Sequence, residues 1–389
     1  MVNNFLGPSD LKILKTKTKI LVICNSCFIS GAELSLVSFL NKMDKDKFEV
    51  IILLPIKSKI SELLIQFKII NLPLIWFQRS NNPIRLFFFS LNIIALTWKI
   101  NKIVKLYNID IIYSNSIKAN LYGVMIKLLS DKKNIWHIRD TLKKGLYNKI
   151  LIKLSDKIIC ISEDVYKQIN ASKNKKVLVY GGLDLIEWNN DAEQKTTLRK
   201  NLSLLRETKL IAIISQLTPW KNHFDFIKAS KLIIDKCENV HLLIVGDVLN
   251  HKDQKYKMLI QDKINELGIN SYFTFLGHRQ DVKEILCQID ILLHTAINEP
   301  FGRVLIEAMA MEKPVIAYNC GGPKEIIVNN ETGYLVEPYD CVDLAKKALI
   351  LIEKDELRIE FGRKGRIRVL DKFNIDDYVQ NLEEIFDTV

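Results

Sequence analysis

The chain has 389 residues, 48% of them apolar, and 56 Lys and Arg against 45 Asp and Glu give a formal net charge of +11. This composition is typical of a globular protein, and the length predicts two domains rather than one hydrophobic core. The seven cysteines have no repeated spacing. That pattern argues against a disulfide framework and favours a reducing compartment.

The positive charge belongs to the first half of the chain. Residues 1–150 contain 23 Lys or Arg and 9 Asp or Glu, whereas residues 151–389 contain 33 and 36. A basic domain favours an anionic partner, most simply the cytoplasmic face of a membrane. The best candidate is a stretch in which lysines alternate with Leu and Ile, namely Lys143, Lys144, Lys149, Lys153 and Lys157. A solvated helix face explains the same pattern equally well.

Short apolar runs alternate with segments long enough for helices along the whole chain. The first series comprises Ile20–Cys24, Val50–Leu54, Leu74–Phe77, Ile109–Tyr113, Ile135–Ile138, Ile158–Ile161 and Val177–Tyr180. The second series comprises Leu210–Ile214, Val240–Val245, Tyr272–Phe275, Ile289–Leu293, Val315–Ala317 and Tyr334–Val336. This alternation predicts an α/β protein with two Rossmann-like, doubly wound parallel sheets.

A polar, acidic segment without periodicity, Trp188 to Thr197, predicts the linker. We therefore place one domain in residues 1–188, the second in 189–372 and a final helix in 373–389. The start of the chain lacks a secretory pattern, so we expect a cytoplasmic protein. The longest apolar segment, Leu86 to Trp98, is shorter than the roughly 20 residues that span a bilayer and predicts a core helix.

Two glutamates lie eight residues apart around a predicted strand-to-helix turn. The run Ile291–Leu293 predicts a buried strand, and Arg303–Met311 predicts an apolar helix. Glu299 then lies in the turn and Glu307 about five residues into the helix. At about 1.5 Å per residue, Glu307 stands roughly 8 Å deeper than the turn. Both carboxylates face one crevice at different depths.

The first turn of this predicted helix offers an anion site, because its free N–H groups lie at the positive end of the helix dipole. A ligand with hydroxyl groups at both ends and phosphates between them fits this arrangement, and nucleotide sugars have that pattern. We predict that Phe301, Gly302, Arg303 and Val304 bind such a ligand. The alternative is that Glu299 only caps the helix and Glu307 is a solvated helix residue.

The segment resembles the signature of the retaining family 4 glycosyltransferases of GT-B fold, a Glu-x7-Glu pattern within a Glu-Pro-Phe-Gly context. The resemblance implies two domains that face a central cleft, with the donor in the second and the final helix crossing back to the first. It implies transfer of a hexose from a nucleoside diphosphate sugar to a hydroxyl of a glycan or lipid-linked glycan. It assigns Glu299 to the hexose and Glu307 to the ribose.

Two positions of the first domain gain a role from this resemblance. Ser30-Gly31-Ala32-Glu33 predicts a helix capping box, in which Gly31 also lets backbone N–H groups approach a ligand; the family usually has two glycines here. His137 ends a predicted strand, where a lone histidine is more often structural, but the family places a histidine beside the donor sugar. Arg139 and Asp140, which follow His137, could form a simple ion pair with each other instead of contacting a ligand.

The second domain supplies further predicted donor contacts. The family commonly has an arginine five residues before a lysine, both on the diphosphate; here Lys221 remains and Gln216 replaces the arginine. This departure leaves the charge of the transition state less well compensated. Gly277 and His278 end another predicted strand. In the family that this chain resembles, the backbone of the loop at this position contacts the nucleotide base of the donor. A solvent-facing loop is the alternative for His278.

The resemblance implies front-face displacement, in which Lys221 and the helix start stabilise the leaving diphosphate and no protein nucleophile is needed. The sequence has no convincing metal site, since Asp44-Lys45-Asp46 lies in a lysine-rich turn. We therefore expect no obligatory metal and no other cofactor. A nucleotide-sugar epimerase of the same fold, or a nucleotide-sugar-binding protein weakened by Gln216, remains open. Nucleic-acid binding is disfavoured because the basic residues are not interleaved with exposed aromatics in a recognisable module.

Overall fold

The computed structural model describes residues 16–74, 82–142, 145–189, 197–249 and 253–389. The first half forms a seven-stranded parallel sheet in the order β3-β2-β1-β4-β5-β6-β7. Its strands are β1 (Thr18–Ile23), β2 (Phe48–Pro55), β3 (Lys68–Leu72), β4 (Ile111–Ser114), β5 (Lys133–Ile138), β6 (Lys157–Cys160) and β7 (Lys176–Leu178). Near-continuous apolar runs form the central strands because helices cover both faces.

The helices between these strands are α1 (Gly31–Lys42), α2 (Pro83–Leu106), α3 (Ile117–Ser130), α4 (Leu146–Leu154) and α5 (Glu163–Gln168). Alternate residues of β1 show which helices share a face. Ile20 and Val22 pack with α1, whereas Leu21 and Ile23 pack with α2 and α3. Leu151 of α4 packs beside Val124 of α3. Helices α2, α3 and α4 therefore lie side by side on one face of the sheet.

The second half forms a six-stranded parallel sheet in the order β10-β9-β8-β11-β12-β13. Its strands are β8 (Lys209–Ile214), β9 (Val240–Val245), β10 (Phe273–Gly277), β11 (Ile291–His294), β12 (Val315–Tyr318) and β13 (Gly333–Val336). Its helices are α6 (Thr197–Asn201), α7 (His223–Ile234), α8 (Gln254–Glu266), α9 (Val282–Gln288), α10 (Arg303–Ala310), α11 (Pro323–Ile326), α12 (Cys341–Glu353) and α13 (Asp355–Lys372). The predicted α/β fold with two doubly wound parallel sheets is confirmed.

The last helix of the chain, α14 (Ile375–Asp387), completes the core of the first sheet. The Phe39 ring of α1 lies 6.0 Å from the rings of both Tyr378 and Phe386. The Leu183 N–H donates to the Phe373 carbonyl oxygen just before this helix begins. The chain therefore returns to its first half after completing the second sheet.

The third strand of the first sheet was not predicted. The third strand is Lys68–Leu72, before the apolar run Leu74–Phe77, of which residues 75–77 lie outside the described part of the chain. The true strand lies at the edge of the sheet and includes the exposed Lys68 and Asn71. An edge strand has solvent on one side, so its sequence lacks the continuous apolar run that marks a central strand.

Helix α2 differs from the predicted core helix over Leu86–Trp98. It has 24 residues, and within it Phe87–Leu106 is long and apolar enough to cross a membrane by length and composition, with 33% of the qualifying window buried. Its inner face, including Leu96 and Ile100, packs on the sheet. The opposite face is exposed, so the core-helix prediction is right for only one face of α2.

Candidate active site

The carboxyl ends of the two sheets face each other across a cleft of about 410 Å³. This volume lies in the range of roughly 300–1,000 Å³ that is typical of small-molecule sites. The starts of α1 and α10 meet here, since a Cβ on Gly31 would lie 3.5 Å from the Arg303 Cβ. Open parallel sheets bind ligands beyond the carboxyl ends of their strands. The cleft lies beyond the carboxyl ends of both sheets, so it is the candidate ligand site.

Glu299 lies in the turn between β11 and α10, as predicted, and its carboxylate is buried at the cleft. Its Oε2 accepts a hydrogen bond from Lys221 Nζ at 2.5 Å and lies 3.2 Å from His294 Nε2. The Lys221 ammonium also lies 4.0 Å from the centre of the Trp220 ring. One carboxylate and one ammonium thus form a buried pair at the end of the second sheet.

The pKa of Glu299 is set by opposing effects. Burial disfavours the charged carboxylate, but the Lys221 charge, together with His294, outweighs burial and lowers the pKa to about 2. Burial lowers the pKa of His294, so this imidazole is neutral at physiological pH. Glu299 therefore stays ionised in the cleft, an acceptor for ligand hydroxyl groups.

Close backbone packing fixes the Glu299 turn. The Gly322 N–H donates to the Glu299 carbonyl oxygen at 2.8 Å. A Cβ on Gly321 would lie 2.3 Å from that same oxygen, and Gly321 has a φ of +61°. A side chain at either glycine would displace the turn, so Gly321 and Gly322 hold the backbone of Glu299 in place.

Glu307 lies in the fifth position of α10, lines the cleft and is buried. Its Oε1 accepts a hydrogen bond from Arg303 Nε at 2.7 Å, one helical turn earlier. Burial raises the pKa of Glu307, and the Arg303 charge offsets only part of that effect. The two predicted carboxylates therefore have opposite pKa shifts in the same cleft.

The start of α10 gives the cleft an anion-binding end. Gly302 precedes the helix with a φ of +100°, and the first N–H groups of any helix have no partner within it. Gly302, Arg303 and Val304 line the cleft with Phe301. The Phe301 ring itself packs between Tyr180 and Phe373, at centroid distances of 6.4 and 5.8 Å. Phe301 thus contributes mainly packing and backbone at this position.

The far wall of the second domain combines Gln216, Asp247, His278 and Arg279. Asp247 pairs with Lys257 at 2.9 Å, and Arg279 pairs with Asp281. Gly277 does not line the cleft; its carbonyl accepts the Gly246 N–H and ties two strand ends together. Gly277 therefore makes a structural hydrogen bond one residue before the cleft residue His278, and its contact with a ligand stays a prediction.

The structure does not place His137 in the cleft. Its side chain is completely buried within the first domain, where Nδ1 lies 2.6 Å from the Tyr113 hydroxyl. Burial lowers its pKa well below the ordinary value. Along β5 the side chains alternate, and His137 shares with Ile135 the face that packs under α1 and α14. The prediction that it positions reactants is therefore corrected, because its ring points into the core.

Arg139 and Asp140 do not form the simple ion pair considered from the sequence. The Arg139 guanidinium donates to Asn115 Oδ1 at 2.7 Å, Ser35 Oγ at 3.0 Å and Tyr378 Oη at 2.7 Å. Asp140 is accessible to solvent within the cleft, yet atoms of both domains surround it and raise its pKa. Asp140 is thus the side chain that extends from this strand end towards Glu299.

The cleft residues that the sequence did not assign to a ligand include Asp140, Asp247 and His294. Each lies within two residues of the end of a parallel strand. The available signal was the position itself, since strand ends of this fold line the ligand site. Among the described residues, no three His, Cys, Asp or Glu side chains come together as a candidate metal site.

Comparison with known proteins shows which proteins this chain is similar to. Residues 194–368 match the family described as Glycosyl transferases group 1. The chain is 28% identical over 303 residues to the capsular polysaccharide biosynthesis glycosyltransferase CapM of Staphylococcus aureus. The aligned region covers 72% of this chain and 76% of CapM. The chain is also 28% identical over 278 residues to a trehalose synthase of Pyrococcus horikoshii, covering 69% and 64%. The Anabaena HepE structure with UDP and glucose has a TM-score of 0.83, 22% identity and coverage of 96% and 100%.

Two parallel α/β sheets around a shared cleft define the GT-B architecture, which the HepE structure shares. Residues 194–368 are similar to the group 1 glycosyltransferases, and the similarity to CapM extends over 303 residues. The resemblance drawn from the Glu299 segment is thereby confirmed at the level of family and fold. The roles of the individual site residues stay predictions.

Proposed function

We propose that this glycosyltransferase moves a hexose from a nucleoside diphosphate sugar to a hydroxyl of a glycan or lipid-linked glycan, with retention at the anomeric carbon. The observation that carries the proposal is the position of the Glu299–Lys221 pair immediately before α10, with Glu307 further along the same helix. An ionised acceptor, a cation and helix N–H groups fit a ligand that joins hydroxyls to a diphosphate.

The proposed donor contacts follow the order of Glu299, the start of α10 and Glu307 along the second-domain side of the cleft. Glu299 accepts hydrogen bonds from hexose hydroxyls, the start of α10 binds the diphosphate, and Glu307 binds the ribose. The HepE structures with UDP and glucose and with UDP-glucose support a nucleotide sugar as the ligand class. At 22% and 23% identity these structures share the fold with this chain, so the base and the hexose are open.

The proposed step breaks the bond between the anomeric carbon and the diphosphate oxygen. The electron pair leaves with the diphosphate, whose new charge is stabilised by Lys221 and the N–H groups of α10. The acceptor oxygen attacks from the same face and passes its proton to the departing diphosphate. No protein nucleophile, metal or other cofactor is required for this balance. Gln216 offers the diphosphate a neutral donor where the family commonly has a cation.

The acceptor side is formed by the first domain, where Asp140 and the start of α1 line the cleft. The name of CapM, a capsular polysaccharide biosynthesis glycosyltransferase, supports a glycan of the cell surface as the acceptor class. A growing glycan of this kind on a lipid carrier would bring the enzyme to the cytoplasmic face of a membrane. We therefore propose a cytoplasmic enzyme in peripheral contact with that membrane.

A panel of nucleoside diphosphate sugars tests this function by thermal shift, since the cognate donor stabilises the folded state by mass action. We expect one donor class to raise the melting temperature, and the Lys221→Ala variant to lose turnover with that donor. The matched control is Lys231→Ala, which removes a lysine paired with Asp235 on α7. Full turnover without Lys221 would contradict the proposed role.

Two further assays separate the alternatives. Activity that persists in EDTA is expected, and its loss would contradict metal independence. Sugar conversion without any acceptor would identify an epimerase instead, and donor binding without turnover would identify a binding protein. The NMR coupling constant of the product's anomeric proton reports retention or inversion directly.

A further inference from the structure

An apolar stripe runs along the outer face of helix α2. It consists of side chains that are each at least 45% exposed: Ile84, Phe87, Phe88, Leu91, Ile94 and Trp98. All but Phe88 follow one another at intervals of three or four residues, which places them in line on one helix face. Phe88 flanks this line. We call these six residues the α2 stripe; it extends over about 21 Å.

The same line of positions becomes basic towards the end of the helix. Lys102 and Lys105 follow Trp98 at intervals of four and seven residues, and both are exposed. Helix α2 contains no Asp or Glu. An apolar face that ends in cations is typical of helices that lie on an anionic lipid surface, with their apolar side chains at the boundary between headgroups and acyl chains.

The neighbouring helices extend this surface. Helix α4 exposes Leu146, Tyr147 and Ile150 near its start, together with Lys149. Helices α2, α3 and α4 lie side by side and contain eight Lys or Arg and no Asp or Glu among them. Lys143 and Lys144, which the sequence interpretation placed in this surface, lie outside the described residues.

Charge discriminates between the possible occupants of the stripe. A second copy of this chain would bring an equally basic helix surface against the first, and like charges oppose such an interface. An α2 that crossed a bilayer would have to remove Leu96, Ile100 and Val104 from the core of the first sheet. An anionic membrane surface covers the apolar side chains and also neutralises the lysines.

The position of the stripe relates it to the cleft. In a parallel α/β sheet, each helix begins near the carboxyl end of the strand before it. The first turns of α2 and α4, which carry Ile84, Phe87, Leu146 and Tyr147, therefore lie at the cleft edge of the first domain. The lysines of α2 lie at the far end. A membrane on this surface would lie beside the cleft opening.

We propose that the α2 stripe and the start of α4 dock on a bilayer that contains anionic lipids. The apolar side chains enter the interface, while Lys102 and Lys105 contact the phosphate groups. Docking is independent of sugar transfer; its use in presenting a lipid-linked acceptor to the cleft rests on the proposed function.

Vesicle flotation of the full chain tests this proposal without donor or acceptor. Wild type should float with vesicles of phosphatidylcholine and phosphatidylglycerol, weakly with phosphatidylcholine alone, and less at high salt. The Lys102→Gln/Lys105→Gln variant should bind the anionic vesicles about tenfold more weakly. The Phe87→Ser/Phe88→Ser variant should lose at least about tenfold on the same vesicles.

Two controls make the test specific. The Met258→Ser/Leu259→Ser variant removes two exposed apolar side chains of α8 and should float as wild type does. Vesicles should shift the Trp98 emission to shorter wavelength, measured as the difference from Trp98→Phe. All of these variants should transfer sugar to a water-soluble acceptor at the wild-type rate, which separates docking from catalysis.

Two outcomes would overturn the proposal. Wild-type protein that does not float with anionic vesicles, or stripe variants that float as wild type does, would show that the stripe is not a membrane surface. Concentration-dependent dimers that disappear in Phe87→Ser/Phe88→Ser, without vesicle binding, would assign the stripe to a second copy of the chain.

Discussion

The two walls of the cleft are built differently. On the second-domain wall of the cleft, the charged side chains are buried and held in ion pairs, Glu299 with Lys221 and Glu307 with Arg303. On the first-domain wall, Arg139 donates most of its hydrogen bonds into its own domain. Asp140 remains solvent-accessible there. A pre-organised wall suits the constant part of the proposed donor, the nucleoside diphosphate, and an open wall suits a variable acceptor.

The largest predicted effect is on the pre-organised wall. Glu299→Gln should lower the kcat/KM of sugar transfer about 100-fold or more, because it removes the fixed charge that we propose contacts the reacting sugar. Steady-state kinetics with the cognate donor measures this. The control is Glu312→Gln in the exposed turn after α10, which should leave kcat/KM unchanged. A Glu299→Gln enzyme within a few-fold of wild type would show that this wall does not act on the donor.

The same carboxylate makes stability depend on pH. Its pKa is about 2 in the folded protein and 4.5 in the reference state. It therefore contributes stability above pH 4.5, and this contribution is lost as the pH falls towards 2. Urea unfolding should show Glu299→Gln less stable than wild type at neutral pH, with a difference that shrinks below pH 4.5. A difference that does not change with pH would contradict the ion pair.

The first-domain wall should respond in stability. Arg139→Met should reduce the free energy of unfolding by about 3 kcal/mol, because it leaves buried polar partners on α1, α14 and the loop after β4 without their donor. Thermal and urea unfolding measure this loss. Arg363→Met, on the exposed surface of α13, should change stability by less than about 0.5 kcal/mol. Equal stability of the two variants would mean that the guanidinium network does not join α14 to the domain.

Sequence and structure agree best where one residue's neighbours along the chain decide its position. Glu299 follows a strand and precedes a helix, so its place at the cleft was predictable. His137 was misassigned because both faces of a central strand are buried, and an apolar run does not show which face a residue occupies. Asp140, three residues further along, lies beyond the strand and extends into the cleft. The His294 contact depends on three-dimensional proximity across a turn, which the sequence alone does not show.

For helix α2, too, the sequence does not show which face is buried. Apolar residues occupy nearly all of its faces, so no periodic pattern distinguished the side that packs on the sheet from the side that is exposed. The structure makes this distinction because strands β1, β2 and β4 cover only one side of the helix. The length of α2 was also underestimated, since Lys99, Lys102 and Lys105 interrupt its apolar character without ending the helix.

A smaller effect should follow from a change at Glu307, which we propose binds the ribose. Glu307→Gln should raise the KM for the donor about tenfold with little change in kcat, because an interaction made equally in the ground state and the transition state affects binding alone. Donor titrations under saturating acceptor measure this. A fall in kcat with an unchanged KM would place Glu307 at the reacting sugar instead.

The smallest effect belongs to the open wall. Asp140→Asn should raise the KM for the acceptor a few-fold and leave the KM for the donor unchanged, since the solvent-accessible carboxylate faces the acceptor side. Varying acceptor and donor separately distinguishes the two. A change confined to the donor KM would mean that the two walls do not divide the substrates as proposed.

The most direct test is a crystal structure with the donor that the thermal-shift panel identifies. We expect hexose hydroxyls on the Glu299 carboxylate, the diphosphate at Lys221 and the first N–H groups of α10, and the ribose on Glu307. A donor bound away from this wall, or bound with the nucleoside at Glu299 and the sugar at Glu307, would contradict it.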